Sequence, residues 1–193
     1  MKKQINVFRV VRDPAYQKLV PVDEEAFRKE RSESWAFDAH REGHKSWVEL
    51  EMQPSDSSPT QPDIWEIAPG AFAIEDHAYE ELYSSVEETQ PSIRYLKCDG
   101  RKLAVVNSTH CVDCLNVDDS VFDGDDPSKI VSYSFDGEQL AISLFKIPQT
   151  KETELFTLDG FDADNDFKTL VEKFEFTGLI FEPLWSGESF MDA

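Results

Sequence analysis

Residues 92–117 read SIRYLKCDGRKLAVVNSTHCVDCLNV. Two apolar, β-branched runs flank Asp99-Gly100. An Asp-Gly pair in that setting is a strong hairpin signal, because both central residues of a type I′ turn need a positive φ. The stretch predicts strand, tight turn, strand, with the second strand running on through His110, Cys111 and Cys114 into an acidic turn. The same dipeptide recurs in KIVSYSFDGEQLAISLFKI, residues 129–147, and predicts a second hairpin about Asp136-Gly137.

Outward from these hairpins the chain alternates strand and helix signals. QINVFRVV, residues 4–11, reads as a first strand. VDEEAFRKERSES, from Val22, suits a short helix, and SWVELEMQ, from Ser46, a half-exposed strand. IWEIAPGAF turns at Pro69-Gly70 and leads to a helix from about Glu75, in which Ile74, Ala78, Leu82 and Val86 recur every four residues. ELFTL, from Glu154, is a further strand. Phe167, Leu170, Val171 and Phe174 then form a helical stripe, with Asp164 or Asp166 placed to cap it. Gly178 marks the exit from this helix, and LIFEPLW is a terminal strand. The expected fold is α+β: an antiparallel sheet built from hairpins, with a few packed helices. PSDSSPTQPD, with three prolines in ten residues, reads as an exposed loop. It divides the chain into an N-terminal strand and helix region (1–53), the loop (54–63) and a main domain (64–193), with the first and last forming one compact unit.

The composition narrows the function classes. Fourteen Phe and four Trp in 193 residues describe a folded protein. No apolar run approaches the ~20 residues that span a bilayer, and the N-terminus lacks the apolar core of a signal peptide. Three cysteines, an odd number, fit a reducing compartment, so the expected location is cytoplasmic. The net charge of −20 is unevenly placed. Residues 1–50 carry ten Lys or Arg against nine Asp or Glu, and residues 51–193 carry nine against thirty. Such a field repels nucleic acid and anionic membrane and attracts basic partners; in many acidic proteins it serves solubility alone.

The HCVDC segment raises the question of metal or redox chemistry. One C-x-x-C with a lone Cys98 elsewhere falls short of the paired knuckles of a structural zinc site. No helix signal follows it, as a thioredoxin-like motif requires. Read as an extended strand, it sends Cys111, Asp113 and Leu115 to one face and Val112, Cys114 and Asn116 to the other, which makes the cysteines small apolar fillers. Asp162, Asp164 and Asp166 alternate as an EF-hand loop begins, but Phe167 and Lys173 stand where such a loop needs Gly and Glu. His40 and His44 are four apart, with Gly43 between them arguing for a loop. No nucleophile elbow, phosphate-binding loop or zinc-protease motif is present, so neither enzyme activity nor a cofactor is expected.

The order of these features resembles a bacterial immunity family of polymorphic toxin systems, the eleventh, myxobacterial type, formerly a domain of unknown function. The resemblance is carried by the helix after a short apolar strand, by Val106-Asn107 and Val112 to Ser120, by Leu144 to Pro148, and by Gly178 to Leu184. It spans about residues 60–185, two thirds of the chain. It implies an antidote made in the cytoplasm that binds and blocks a cognate toxin delivered between bacteria, without catalysis. The toxin domain would be basic, plausibly a nuclease whose cleft handles phosphates. Toxin contacts are expected on two loop clusters, Asp118, Asp119, Asp123, Asp125 and Asp126, and Asp159, Asp162, Asp164 and Asp166. Trp35, Trp47 and Trp65 are candidate anchors. The alternatives are an acidic adaptor or nucleic-acid mimic without a dedicated toxin, and a Cys/His metal-binding protein.

Overall fold

The computed structural model describes residues 2–33, 49–55, 60–89, 93–108, 110–124, 126, 129–162 and 164–190. In chain order the strands begin with β1 (Lys2–Arg12) and β2 (Leu19–Pro21), followed by helix α1 (Glu24–Glu33). Strands β3 (Glu51–Pro54), β4 (Ile64–Ala68) and β5 (Ala71–Ile74) lead to α2 (Asp76–Glu87). Then come β6 (Arg94–Cys98), β7 (Arg101–Val106), β8 (Val121–Phe122), β9 (Ile130–Ser132), β10 (Leu144–Phe145) and β11 (Leu155–Asp159). Helix α3 (Phe167–Lys173) and the long β12 (Leu179–Phe190) close the chain. The fold is α+β and mostly sheet. One sheet has the order β2-β3-β6-β7-β5-β4, a second β10-β11-β1-β12, and β8-β9 form a separate ribbon. Among these pairings only β3 with β6 is parallel.

The first Asp-Gly pair makes its predicted turn: Asp99 and Gly100 have φ of 50° and 77°, and β6 and β7 pair antiparallel across them. Helix α2 lies with Ala78, Leu82 and Val86 buried. These pack with Ile74, Phe72, Leu170 and Val171 between the two large sheets. Alternation along β1 explains how one strand serves two layers. Val10 faces that central layer, whereas Ile5 and Val7 face a second cluster containing Phe145, Phe156, Leu158 and Phe135. The N-terminal strand thus pairs with β11 and β12 from the far end of the chain.

Three expectations require correction. The second Asp-Gly pair is not a hairpin turn. Gly137–Gln139 form one turn of 3-10 helix, capped by Asp136, whose side chain accepts the Glu138 N–H at 3.0 Å. The hairpin in this region is β8–β9, one element earlier. Second, β7 ends at Val106. Residues 110–116 instead run extended between two neighbours, with single bridges at Cys111 to Lys146 and Leu115 to Phe135. Changing partners breaks strict alternation, so adjacent Cys114 and Leu115 are both buried. Third, parts of the proline-rich segment are packed, although Thr60 and Gln61 are exposed as expected. Pro54 belongs to β3 opposite Leu19, and Pro62 is buried. Asp63 clasps the far end of the chain: its Oδ2 accepts the Thr177 N–H at 2.8 Å and hydroxyl at 2.7 Å. His77 Nε2 lies 2.9 Å from its other oxygen. Burial works to raise the Asp63 carboxyl, but these partners outweigh it and hold it below its ordinary value. Residues 56–59 lie outside the described residues, as does the start of the strand expected from Ser46.

Candidate functional site: an acidic groove walled by Trp185

The site begins with an irregularity in β12. Opposite β1, Phe8 pairs with Pro183 but Val7 pairs with Trp185, so Leu184 is an extra residue. A bulge reverses which side chains face each side of a sheet. Before it, Leu179 and Phe181 pack on the central layer; after it, Trp185 packs on the opposite side with the Phe135 cluster. Trp185 meets Phe135 edge-on at 6.1 Å. Its ring then lies over Gly187, where an added Cβ would come within 2.1 Å of the indole.

A second glycine brings the facing wall into place. A Cβ on Gly137 would lie 2.2 Å from the Glu188 carbonyl oxygen, so only glycine permits the 135–137 segment to approach β12 this closely. The third wall is residues 113–118, held to the second by main-chain hydrogen bonds from Asp136 to the Cys114 carbonyl and from Asn116 to the Ser134 carbonyl, each 2.8 Å. The resulting open groove has a volume of about 570 Å³. Asp113, Asp118, Asp136, Val117, Trp185 and Glu188 are among the residues that line it. Asp113, Asp118 and Asp136 are exposed. Asp113 also accepts from Gln149 at 2.9 Å, and Glu188 pairs with Lys2 at 2.5 Å.

Next to the groove, Asn116 organises the acidic turn. Its amide donates to the Asp119 carboxylate at 2.7 Å, and its carbonyl accepts from the Ser120 hydroxyl at 2.7 Å. The turn feeds β8, and the β8–β9 ribbon directs Phe122 and Ile130 toward the core cluster. Val121 and Val131, on the other side, are 54% and 66% exposed, and Val117 is 53% exposed. Asp118, Asp119 and Asp123 are exposed and Asp126 is half-buried; Asp125 lies outside the described residues.

The other predicted cluster is built differently. Asp166 has no exposed surface. Its carboxylate makes no bond to the start of α3 but turns back to accept the Phe161 and Asp162 N–H groups at 2.9 and 3.0 Å. Burial raises its proton affinity in spite of these donors. The N–H of Phe167 is taken instead by the Ser143 hydroxyl at 2.9 Å. Asp162 accepts from the Asn165 amide at 2.9 Å, which with the Asp164 N–H holds its carboxyl below the ordinary value. Asp159 lies 3.5 Å from Lys168. Asp166 is out of reach of a partner and fastens the loop between β11 and α3; Asp162 and Asp164 remain at the surface.

Cys98 and Cys114 fill the core, and Cys111 is half-buried. Burial pushes the Cys111 thiol up to about 11 and Cys114 up to about 12, and raises Cys98 as well. Reactive or metal-bound cysteines have lowered values. Among the described residues, no three His, Cys, Asp or Glu are grouped to hold a metal ion. Trp65 is fully buried, its N–H donating to Glu75 at 3.1 Å, so it is core and not an anchor. Trp35, Trp47, His40 and His44 lie outside the described residues. Sequence reasoning located Asp118 but missed Asp113, Asp136, Glu188 and Trp185 as parts of one site. They come from three segments, brought together by the bulge, the two glycine contacts and the main-chain hydrogen bonds between 114–116 and 134–136.

Fold and site together define an α+β protein with an acidic, aromatic-walled groove on a face locked by main-chain hydrogen bonds. No protein-family model matches the chain, and no curated protein matches it. Among the described residues no helix is long and apolar enough to cross a membrane.

Proposed function

We propose that this chain is an immunity protein, which binds a cognate antibacterial toxin in the cytoplasm and neutralises it by covering a basic active cleft, with no catalysis of its own. The observation that carries the reading is the gathering of exposed Asp113, Asp118 and Asp136 on a single open groove, with exposed Asp119 held beside it by Asn116. Exposed apolar side chains stand among them. Tight interfaces combine such features: a few apolar or aromatic anchors supply affinity, and a charged rim supplies steering and register. A nuclease cleft is basic because it binds phosphates, so an acidic face matches it in sign. The resemblance of residue order to immunity proteins supports the same reading.

Co-expression with the product of the adjacent upstream gene tests it. The expected result is a stable complex and rescue of growth from that product's toxicity. A neighbouring product that is harmless, or that is toxic and neither bound nor neutralised, contradicts it.

A further inference from the structure

We propose that the groove beside Trp185 receives an arginine presented by a basic polypeptide partner, while an apolar neighbour of that arginine rests on the exposed valines of the ribbon. The choice of a polypeptide partner rests on the toxin-binding reading above; the choice of arginine rests on the groove. Trp185 is half-buried, with its ring held against Gly187 and Phe135, so the indole is fixed in place. A guanidinium stacks on an indole and donates in a planar fork to carboxylates beside it, whereas a lysine ammonium is a more strongly hydrated point charge. Asp118 and Asp136 stand on different walls, and Asp113 lies next to Cys114 on the first. The walls are joined by the 2.8 Å main-chain bonds, so the slot exists before a partner arrives. Such preorganisation lowers the ordering cost of binding.

The apolar component is independent of the acids. Val121 and Val131 occupy the side of the β8–β9 ribbon turned away from the core, and Val117 both lines the groove and is 53% exposed. All three valines are more than half exposed. Their acidic surroundings select a partner of opposite charge over a second copy of this chain, which would bring like charges together.

The test uses the purified full chain and three short peptides of one design, with the pattern Gly-X-Val-X-Gly, where X is arginine, lysine or uncharged citrulline. Binding is followed by NMR, with the Trp185 indole signal assigned through Trp185→Phe. The arginine peptide is expected to shift that signal and the amides of 113–118 and 135–137. It should bind about 3-fold or more tighter than the lysine peptide, as a single cation–π contact allows. Asp113→Asn with Asp118→Asn, both exposed and therefore compatible with folding, should weaken it several-fold. Equal binding of the arginine and lysine peptides overturns the proposal, as do shifts spread over the 159–166 loop, shifts that depend on protein concentration without peptide, or no shift. A chain that binds the arginine peptide in the groove but, without peptide present, does not bind the toxin would instead count against the immunity reading alone. A toxin complex unaffected by the groove variant would overturn this inference and leave that reading standing.

Discussion

In the loop at 159–166 the carboxylates are turned to the protein's own needs: Asp166 takes two main-chain N–H groups, Asp162 takes Asn165 and Asp164, and Asp159 faces Lys168. Along 113–136, Asp113, Asp118, Asp119 and Asp136 stay exposed on or beside a groove even where they accept from Gln149, Asn116 or the Glu138 N–H, and exposed valines lie among them. In sequence the two regions look alike, as short runs rich in Asp beside a predicted element end. What separates them is that a fully buried acid, Asp166, fastens the first loop, whereas Asp113, Asp118 and Asp136 are exposed and line a groove. An acid whose oxygens accept buried main-chain donors stabilises structure; an exposed one beside an apolar or aromatic surface is available to a partner.

The comparison breaks most visibly at Asp166. Asp166→Ala leaves the Phe161 and Asp162 N–H groups without their acceptor, and should cost about 2–4 kcal/mol in denaturant unfolding. The folded fraction should still bind the partner with unchanged affinity; a stable variant that binds poorly would assign Asp166 to the interface.

Gly137→Ala addresses the other region. The new Cβ cannot share space with the Glu188 carbonyl, so the groove walls must part, at about 1–3 kcal/mol of stability. Unlike Asp166→Ala, it should also weaken partner binding, measurable by titration calorimetry on folded protein. A wild-type affinity would show that groove shape is irrelevant.

Cys111→Ala with Cys114→Ala alters one residue that lines the groove, Cys114, without changing the charge there. The expected loss is about 1–2 kcal/mol from reduced packing, with partner affinity and metal content unaltered. Stoichiometric zinc in the wild type that vanishes in the variant would contradict the filler role.

The smallest effect is at Asp162. Its carboxyl is held below the ordinary value by Asn165, so its stabilisation is present above the unfolded value, near 3.9, and is lost as pH falls through the lowered folded value. Asp162→Asn should therefore reduce stability by less than about 1 kcal/mol at neutral pH, and the gap should close in acid. Asp166, shifted upward, contributes with the opposite sign: its share is present below the ordinary value and is lost as pH rises through the raised one. Urea midpoints across that range separate the two.

The two Asp-Gly pairs mark where the sequence was readable. Asp99-Gly100 is a local device; both residues adopt positive φ, and the flanking runs pair with each other. The helical stripes of α2 and α3 were legible for the same reason, since each periodicity meets its own buried face. At Asp136-Gly137 the glycine answers to a carbonyl about fifty residues away, Glu188, and no local pattern carries that contact. Trp185 was hidden similarly, because the extra residue at Leu184 redirects it and is defined only by the register against β1. The acid loops were found as composition, but which oxygens were already engaged depends on tertiary neighbours.

The most direct test of the account neutralises each region separately and measures binding of the cognate toxin at two salt concentrations. One variant carries Asp118→Asn, Asp119→Asn and Asp123→Asn; the other carries Asp162→Asn and Asp164→Asn, leaving Asp166 in place. The first should bind several-fold more weakly, with a shallower salt dependence, while the second should match the wild type in both. Weakening confined to the second variant, or no change in either, would contradict the assignment of the 113–136 face to the partner.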